Sequence, residues 1–320
     1  MVVRLLVGPP LVVLARLGAA CVVVVALLAS PSSRSSAATP RSSAGGQGSV
    51  GLERAYAHND YLHPRPLYDA LHADFKSVEA DVTLVHGKLL VGHAVQGAHA
   101  DQTLESLYLE PLRRVVAGNG GSVYRGDPDY FTLLIDIKSA AGPTYLELNR
   151  ELRRYRSVGG HRMFTTFGPS GVRDGAVTAI VSGNRPTEFM RRQQVRYAGY
   201  DGRLTDLGIA TDQTLVPLIS DAWLFNFAWN GIGPMPADER AKLRRIVRTA
   251  HANGQRVRFY LTPDGAPTGG VDARQAVWKE LLAAHVDYIN TDHLPELERF
   301  LLRYDQRPSR PWVSWGRHHR

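Results

Sequence analysis

The chain has 320 residues, 44% of them hydrophobic, with 38 Lys and Arg against 30 Asp and Glu for a net charge of +8. That length accommodates one large domain, the apolar content excludes a disordered chain, and a lone cysteine excludes a disulfide framework. No basic run interleaved with aromatics occurs, so the excess charge does not point to nucleic acid.

The first predicted element is a leader. Arg4 and Arg16 precede an apolar run from Leu17 to Ala29, and a Ser/Ala/Pro/Gly-rich stretch follows to about Gly48. Residues 1–30 read as a signal peptide or an uncleaved anchor and residues 31–50 as a linker, with cleavage expected between Ala29 and Ala44. The product is expected to be secreted or held at the cell surface. Cys21 lies inside the leader and is followed by the strongly apolar Val22–Leu28, which argues against lipid attachment there. Removing residues 1–44 takes away Arg4, Arg16, Arg34 and Arg41, so the net charge falls from +8 to +4.

Beyond the linker, strand and helix signals alternate. Arg54–Asn59 reads as a strand, Pro66–Ala73 as a helix and Lys76–Thr83 as a strand. His86-Gly87-Lys88 is a tight turn returning through Leu89–Val91 to His93. Thr103–Ala117 reads as a helix, Phe131–Ser139 as a strand and Thr144–Tyr155 as a helix. Strands are then expected near Arg162–Phe167, at Ala176–Ser182 and at Val216–Ser220. A helix over Pro236–Asn253, a strand over Arg256–Leu261, a helix over Asp272–Ala284 and a strand over Val286–Asp292 complete the pattern. Residues 118–130 and 199–214 read as loops, and 306–320 as a basic tail. A single domain over 51–305 with this alternation is expected to be a TIM-type (β/α)8 barrel.

The chemistry concentrates at predicted strand ends. Glu79 and Asp81, two apart on a strand, project to one face and can share a hard cation, while Val78, Ala80 and Val82 point to the other face. His58 and His93 flank them and can move protons. Asp136 and Lys138 share the end of a later strand, where an unpaired buried charge would be costly; Asp136 is expected as a third metal ligand and Lys138 as a phosphate contact. Lys138 can equally be a structural partner of Asp136.

His58 with Asn59, Glu79-x-Asp81, His93 and Asp136-x-Lys138 together resemble the phosphatidylinositol phospholipase C-like phosphodiesterase superfamily, which includes glycerophosphodiester phosphodiesterases and sphingomyelinase D-type toxins. Arg256–Pro263 and Val286–Asp292 are similar to its last two barrel strands, so the likeness spans roughly residues 54–303. It implies one Mg or Ca ion on Glu79, Asp81 and Asp136, with His58 and His93 as the acid/base pair. Glycerophosphodiesterases usually carry Arg-Gly after the first histidine, where this chain has Asn59-Asp60, and Glu where it has Asp136. The Asp-x-Lys form is closer to the sphingomyelinase D branch, and the overall run also resembles a branch named after a yeast mitochondrial-inheritance protein.

Several residues keep two readings. Asn59 either touches the metal or substrate phosphate or shapes a turn with Asp60. Arg256, Arg258 and Tyr260 share one face of their strand; Arg258 either binds the substrate phosphate or forms an inner salt bridge, and Asn290 follows the same logic on the last strand. Trp223, Phe227 and Trp229 either wall a pocket or lipid-facing rim or pack in the core. The expected activity is hydrolysis or cyclisation of a glycerophosphodiester or phospholipid head group by a monomer, with contact to a membrane surface. The alternatives are a noncatalytic ligand-binding barrel and a glycoside hydrolase built on the paired carboxylates.

Overall fold

In the computed structural model, which describes residues 51–94, 99–127, 130–263 and 272–305, eight parallel strands close on themselves. They are β1 (Leu52–Ala57), β2 (Phe75–Val85), β3 (Phe131–Ile137), β4 (Val177–Gly183), β5 (Ala198–Gly202), β6 (Leu218–Ala222), β7 (Arg256–Tyr260) and β8 (Tyr288–Thr291). Each pairs with its neighbour, and β1 pairs with both β2 and β8, which closes the (β/α)8 barrel. The strand Lys88–Val91 returns antiparallel to the end of β2, through the expected turn at His86-Gly87. The predicted leader, linker and basic tail lie outside the described residues.

The helices are α1 (Tyr68–His72), α2 (Glu110–Gly118), α3 (Ala141–Arg154), α4 (Thr187–Arg192), α5 (Trp223–Asn226), α6 (Ala237–Ala252), α7 (Ala273–Ala283) and α8 (Leu294–Tyr304). Local signals set their ends. Asp238 and Glu239 open α6 where the helix dipole favours negative charge, and Gly254, at φ +69°, follows its last residues as a left-handed stop. The Asp272 carboxylate caps α7 by accepting from the Gln275 N–H at 3.2 Å. Pro295 fits the first turn of α8, where a missing N–H breaks no helical bond.

Alternation along the strands separates two apolar sets. Val78, Ala80 and Val82, like Leu133 and Ile135, point outward into the main core formed with the helices. Tyr56, Leu134, Ile180, Leu218 and Tyr288 form a second cluster, from β1, β3, β4, β6 and β8, that fills the barrel interior. The floor of the site is therefore packed side chain.

Two expectations are corrected. Residues 162–167 supply no barrel strand; Arg162 and Thr166–Phe167 belong to two small antiparallel hairpins, Ser157–Val158 with His161–Arg162 and Thr166–Gly168 with Gly171–Arg173, Phe164 makes an isolated parallel bridge to Val177, and the fourth barrel strand is Val177–Gly183. The stretch from residue 199 begins inside β5, whose sequence Ala-Gly-Tyr-Asp-Gly lacks an apolar run. Its glycines are steric requirements: a Cβ on Gly199 would lie 2.6 Å from Pro217 Cδ.

Candidate active site

The three carboxylates converge because of register. Asp81 on β2 is the direct partner of Asp136 on β3, so both side chains leave neighbouring strands in the same direction at the carboxyl end of the barrel. Glu79 lies one inward-facing position deeper. One oxygen from each of Glu79, Asp81 and Asp136 lies within 4.8 Å of the others, as the sequence predicts for a shared cation.

Each carboxylate is anchored by one oxygen. Arg258 Nη1 and the Tyr56 hydroxyl both donate to Glu79 Oε2, at 2.9 and 3.2 Å. The Tyr61 hydroxyl donates to Asp81 Oδ2 at 2.9 Å, and Lys138 Nζ lies 3.2 Å from Asp136 Oδ2. Burial works against ionisation at Glu79, but the Arg258 guanidinium and the nearby His58 outweigh it and hold the carboxyl below its usual range. At Asp81 burial wins over Lys138, with Glu79 and Asp136 adding repulsion, and the carboxyl is pushed up to about 6. Burial likewise raises Asp136 despite Lys138.

This arrangement fits a divalent cation. Asp81 Oδ1 and Asp136 Oδ1 are buried with no hydrogen-bond partner among the described residues, and Lys138 Nζ approaches the former only at 3.4 Å. Two protein cations, Arg258 and Lys138, face three carboxylates, so further positive charge would relieve the repulsion that raises Asp81. An all-oxygen donor set suits Mg or Ca. Gly183, at φ +67°, makes room for the group: a Cβ there would come within 2.0 Å of Asp136 Oδ1.

His58 follows β1 and is half-buried at the same mouth. Its Nδ1 lies 2.8 Å from Asp292 Oδ1, which makes Nδ1 the protonated donor and leaves Nε2 to take up a proton. Burial lowers its proton affinity, but the hydrogen bond to Asp292 and the charges of Glu79 and Asp292 prevail and raise its pKa. Asn59 occupies the left-handed region at φ 45°, and its Oδ1 accepts from the Tyr61 hydroxyl at 3.3 Å, so it shapes the turn that carries His58. His93 is exposed; the preceding Gly92 N–H donates to the Asp81 carbonyl at 3.0 Å, which ties this segment to β2 beside the carboxylates.

Arg258 and Asn290 face inward as the strand pattern predicts, and Arg258 takes the inner salt-bridge arrangement. Its guanidinium lies over the Tyr56 ring at 4.5 Å, and its Nη1 lies 3.5 Å from Asn290 Oδ1. Trp223, Phe227 and Trp229 are buried and pack on one another and Phe259, which settles them as core.

Three functional candidates escape the sequence reading. Asp292 directly follows β8, at the same rim as His58, and that placement is the signal that could have found it. Tyr61 has no motif and is recognised only by its bond to Asp81. Asp201 gives no signal because its strand does not read as one; it is fully buried and accepts from Ser182, Ser220 and Arg203 at 2.8, 2.6 and 2.7 Å.

Residues 49–201 match the AIM6-like phosphodiesterase domain, and residues 256–295 match the glycerophosphoryl diester phosphodiesterase family. Among curated proteins, the chain is 28% identical over 274 residues to the altered inheritance of mitochondria protein 6 of Eremothecium gossypii, covering 78% of this chain and 69% of that one. It is 26% identical over 284 residues to the protein of that name from Lachancea thermotolerans, covering 77% and 65% of the two chains. The homolog from Arthroderma benhamiae is 28% identical over 262 residues, covering 74% and 80%. With the barrel and the convergent carboxylates, these matches fit the phosphatidylinositol phospholipase C-like phosphodiesterase superfamily, and residues 49–201 are similar to its AIM6-like branch.

Proposed function

We propose that this protein is a metal-dependent phosphodiesterase that hydrolyses or cyclises a glycerophosphodiester or a phospholipid head group. The observation that carries the reading is the convergence of Glu79, Asp81 and Asp136 within 4.8 Å at the mouth where Asp292 orients His58. Glu79, Asp81 and Asp136 would hold a Mg or Ca ion, which supplies charge neutralisation at the phosphate oxygens. His58 Nε2 accepts or donates the proton of the attacking or leaving oxygen, with Asp292 fixing its tautomer and stabilising the charged ring. His93 serves as the second proton carrier. Lys138 contacts the phosphate, while Arg258 and Asn290 act through Glu79.

Export fits the apolar run Leu17–Ala29 behind its arginines. Contact with a lipid surface is supported by Leu62, Leu224, Phe225 and Leu261, exposed on the segments that follow β1, β6 and β7 at the mouth. These strands occupy one sector of the barrel, with β8 between β7 and β1.

The test is product release from bis(p-nitrophenyl) phosphate, glycerophosphodiesters and phospholipid vesicles, with Mg, Ca or excess chelator, in wild type and His58→Ala. The expected result is turnover that needs a divalent ion and is lost in the variant. Turnover undiminished by chelation, or equal in His58→Ala, would rule the proposal out.

A further inference from the structure

Beside the carboxylates, the ends of β3 and β4 frame an open cleft of about 590 Å³ lined by Lys138, Ser139, Gly183, Asn184 and Arg185. Its walls are fixed: Asn184 Nδ2 donates to the Ser139 carbonyl at 3.0 Å, and the Asn184 N–H donates to the Ile137 carbonyl at 2.9 Å. Arg185 is half-buried, and among the described residues no carboxylate lies within ion-pair distance of it; its guanidinium donates to the backbone carbonyl of Asp201. The neighbouring Arg203 takes the Asp201 carboxylate for itself at 2.7 Å. No acidic residue occurs in the first turn of α3, which borders the cleft, and the nearest carboxylates, Asp201 and Asp206 for Arg185 and Asp81 and Asp136 for Lys138, are held from behind the cleft's lining. Lys138 belongs to both places, reaching Asp136 on one side and lining the cleft on the other.

A half-buried guanidinium with no carboxylate at ion-pair distance among the described residues, lining an open cleft with a lysine, is a site for an anion. We propose that this cleft is an anion subsite next to the reaction centre, in which Arg185 binds a second negatively charged group of the substrate while Lys138, between the two places, contacts the reacting phosphate. The inference rests on the phosphodiesterase reading and narrows it. The preferred substrate is a phosphodiester whose non-reacting part carries a carboxylate or a phosphomonoester.

The experiment compares kcat/KM for glycerophosphoserine and glycerophosphoinositol 4-phosphate with kcat/KM for glycerophosphocholine, in wild type, Arg185→Ala and Arg185→Lys, with folding checked by circular dichroism. Wild type is expected to prefer the two diesters with a second anion, and Arg185→Ala to reduce that preference by about tenfold or more, as for a lost charge-assisted hydrogen bond, with Arg185→Lys between the two. Equal use of the choline diester by wild type, or a preference unchanged in Arg185→Ala, overturns the subsite. If wild type turns over none of these compounds, the phosphodiesterase reading falls. Calorimetric titration of wild type and Arg185→Ala with glycerophosphoinositol 4-phosphate then decides the subsite alone: weaker binding by the variant supports it, and equal or absent binding overturns it.

Discussion

Arg258 Nη1 donates to Glu79 Oε2 at 2.9 Å across the barrel interior, and the two side chains are only 3% and 5% exposed. Removing the guanidinium leaves a buried carboxylate without its main counter-charge, which costs about 3–5 kcal/mol. Arg258→Ala is therefore expected to lower the urea midpoint strongly in chelator, and added Mg or Ca to restore part of the loss. A variant that unfolds like wild type in chelator but has a raised KM would instead make Arg258 a direct phosphate ligand.

A cation held by Glu79, Asp81 and Asp136 stabilises the folded chain by mass action, about 2.7 kcal/mol at a hundredfold excess over Kd. Mg or Ca is expected to raise the melting temperature of wild type, and Asp136→Asn to abolish most of that rise. Asp136→Asn should by itself stabilise the metal-free protein slightly, because burial, with repulsion from Glu79, disfavours the Asp136 charge more than Lys138 favours it. An undiminished metal response in Asp136→Asn would exclude this residue as a ligand.

His58 acts as a base only when neutral, and its pKa is raised, so the acid limb of kcat/KM should lie above the ordinary histidine value of 6.5. Asp292 raises that pKa by hydrogen bond and charge; Asp292→Asn removes the charge and leaves at most a neutral hydrogen bond, and the limb moves to lower pH. The plateau falls as well, since the imidazole loses its fixed tautomer, while His58→Ala loses about 10²–10⁴-fold. A limb that does not move in Asp292→Asn belongs to a group other than His58.

Strands ending in charged residues were readable because alternation and strand ends are local properties: Glu79, Asp81 and Asp136 fall on inward faces by counting alone. The barrel followed from strand and helix alternation, except where the pattern lost its apolar marks. β5 carries two glycines and a buried aspartate, and its polarity is satisfied by Ser182, Ser220 and Arg203 from other positions, which only folding brings together. The apolar segment Met163-Phe164 mimicked a barrel strand because it is buried and pairs in parallel with the start of β4 at Val177, but the pairing is a single bridge. Partnerships of long sequence separation stayed hidden for the same reason: His58 and Asp292 are 234 positions apart, Glu79 and Arg258 are 179.

Asp60 offers a pH test of how the His58 turn is held. It is fully buried; its Oδ2 accepts from the Leu67 N–H at 2.6 Å and the Tyr108 hydroxyl at 2.9 Å, and its Oδ1 has no partner among the described residues. Burial, only partly offset by those two hydrogen bonds, pushes its carboxyl from 3.8 up to about 6. Between those values the folded chain binds a proton that the unfolded chain has released, so Asp60 makes stability fall as pH rises from about 4 to about 6. Asp60→Asn keeps an oxygen acceptor for Leu67 and Tyr108 and removes the titration. Other raised carboxyls, Asp81 and Glu151 among them, contribute to the slope of both proteins and cancel in the comparison. The variant is thus expected to gain on wild type by about 3 kcal/mol or less between pH 4 and pH 7, the equivalent of about two pKa units. Urea unfolding across that range measures it. A difference between the two proteins that stays constant with pH would mean Asp60 is ionised throughout, with its two donors overcoming burial.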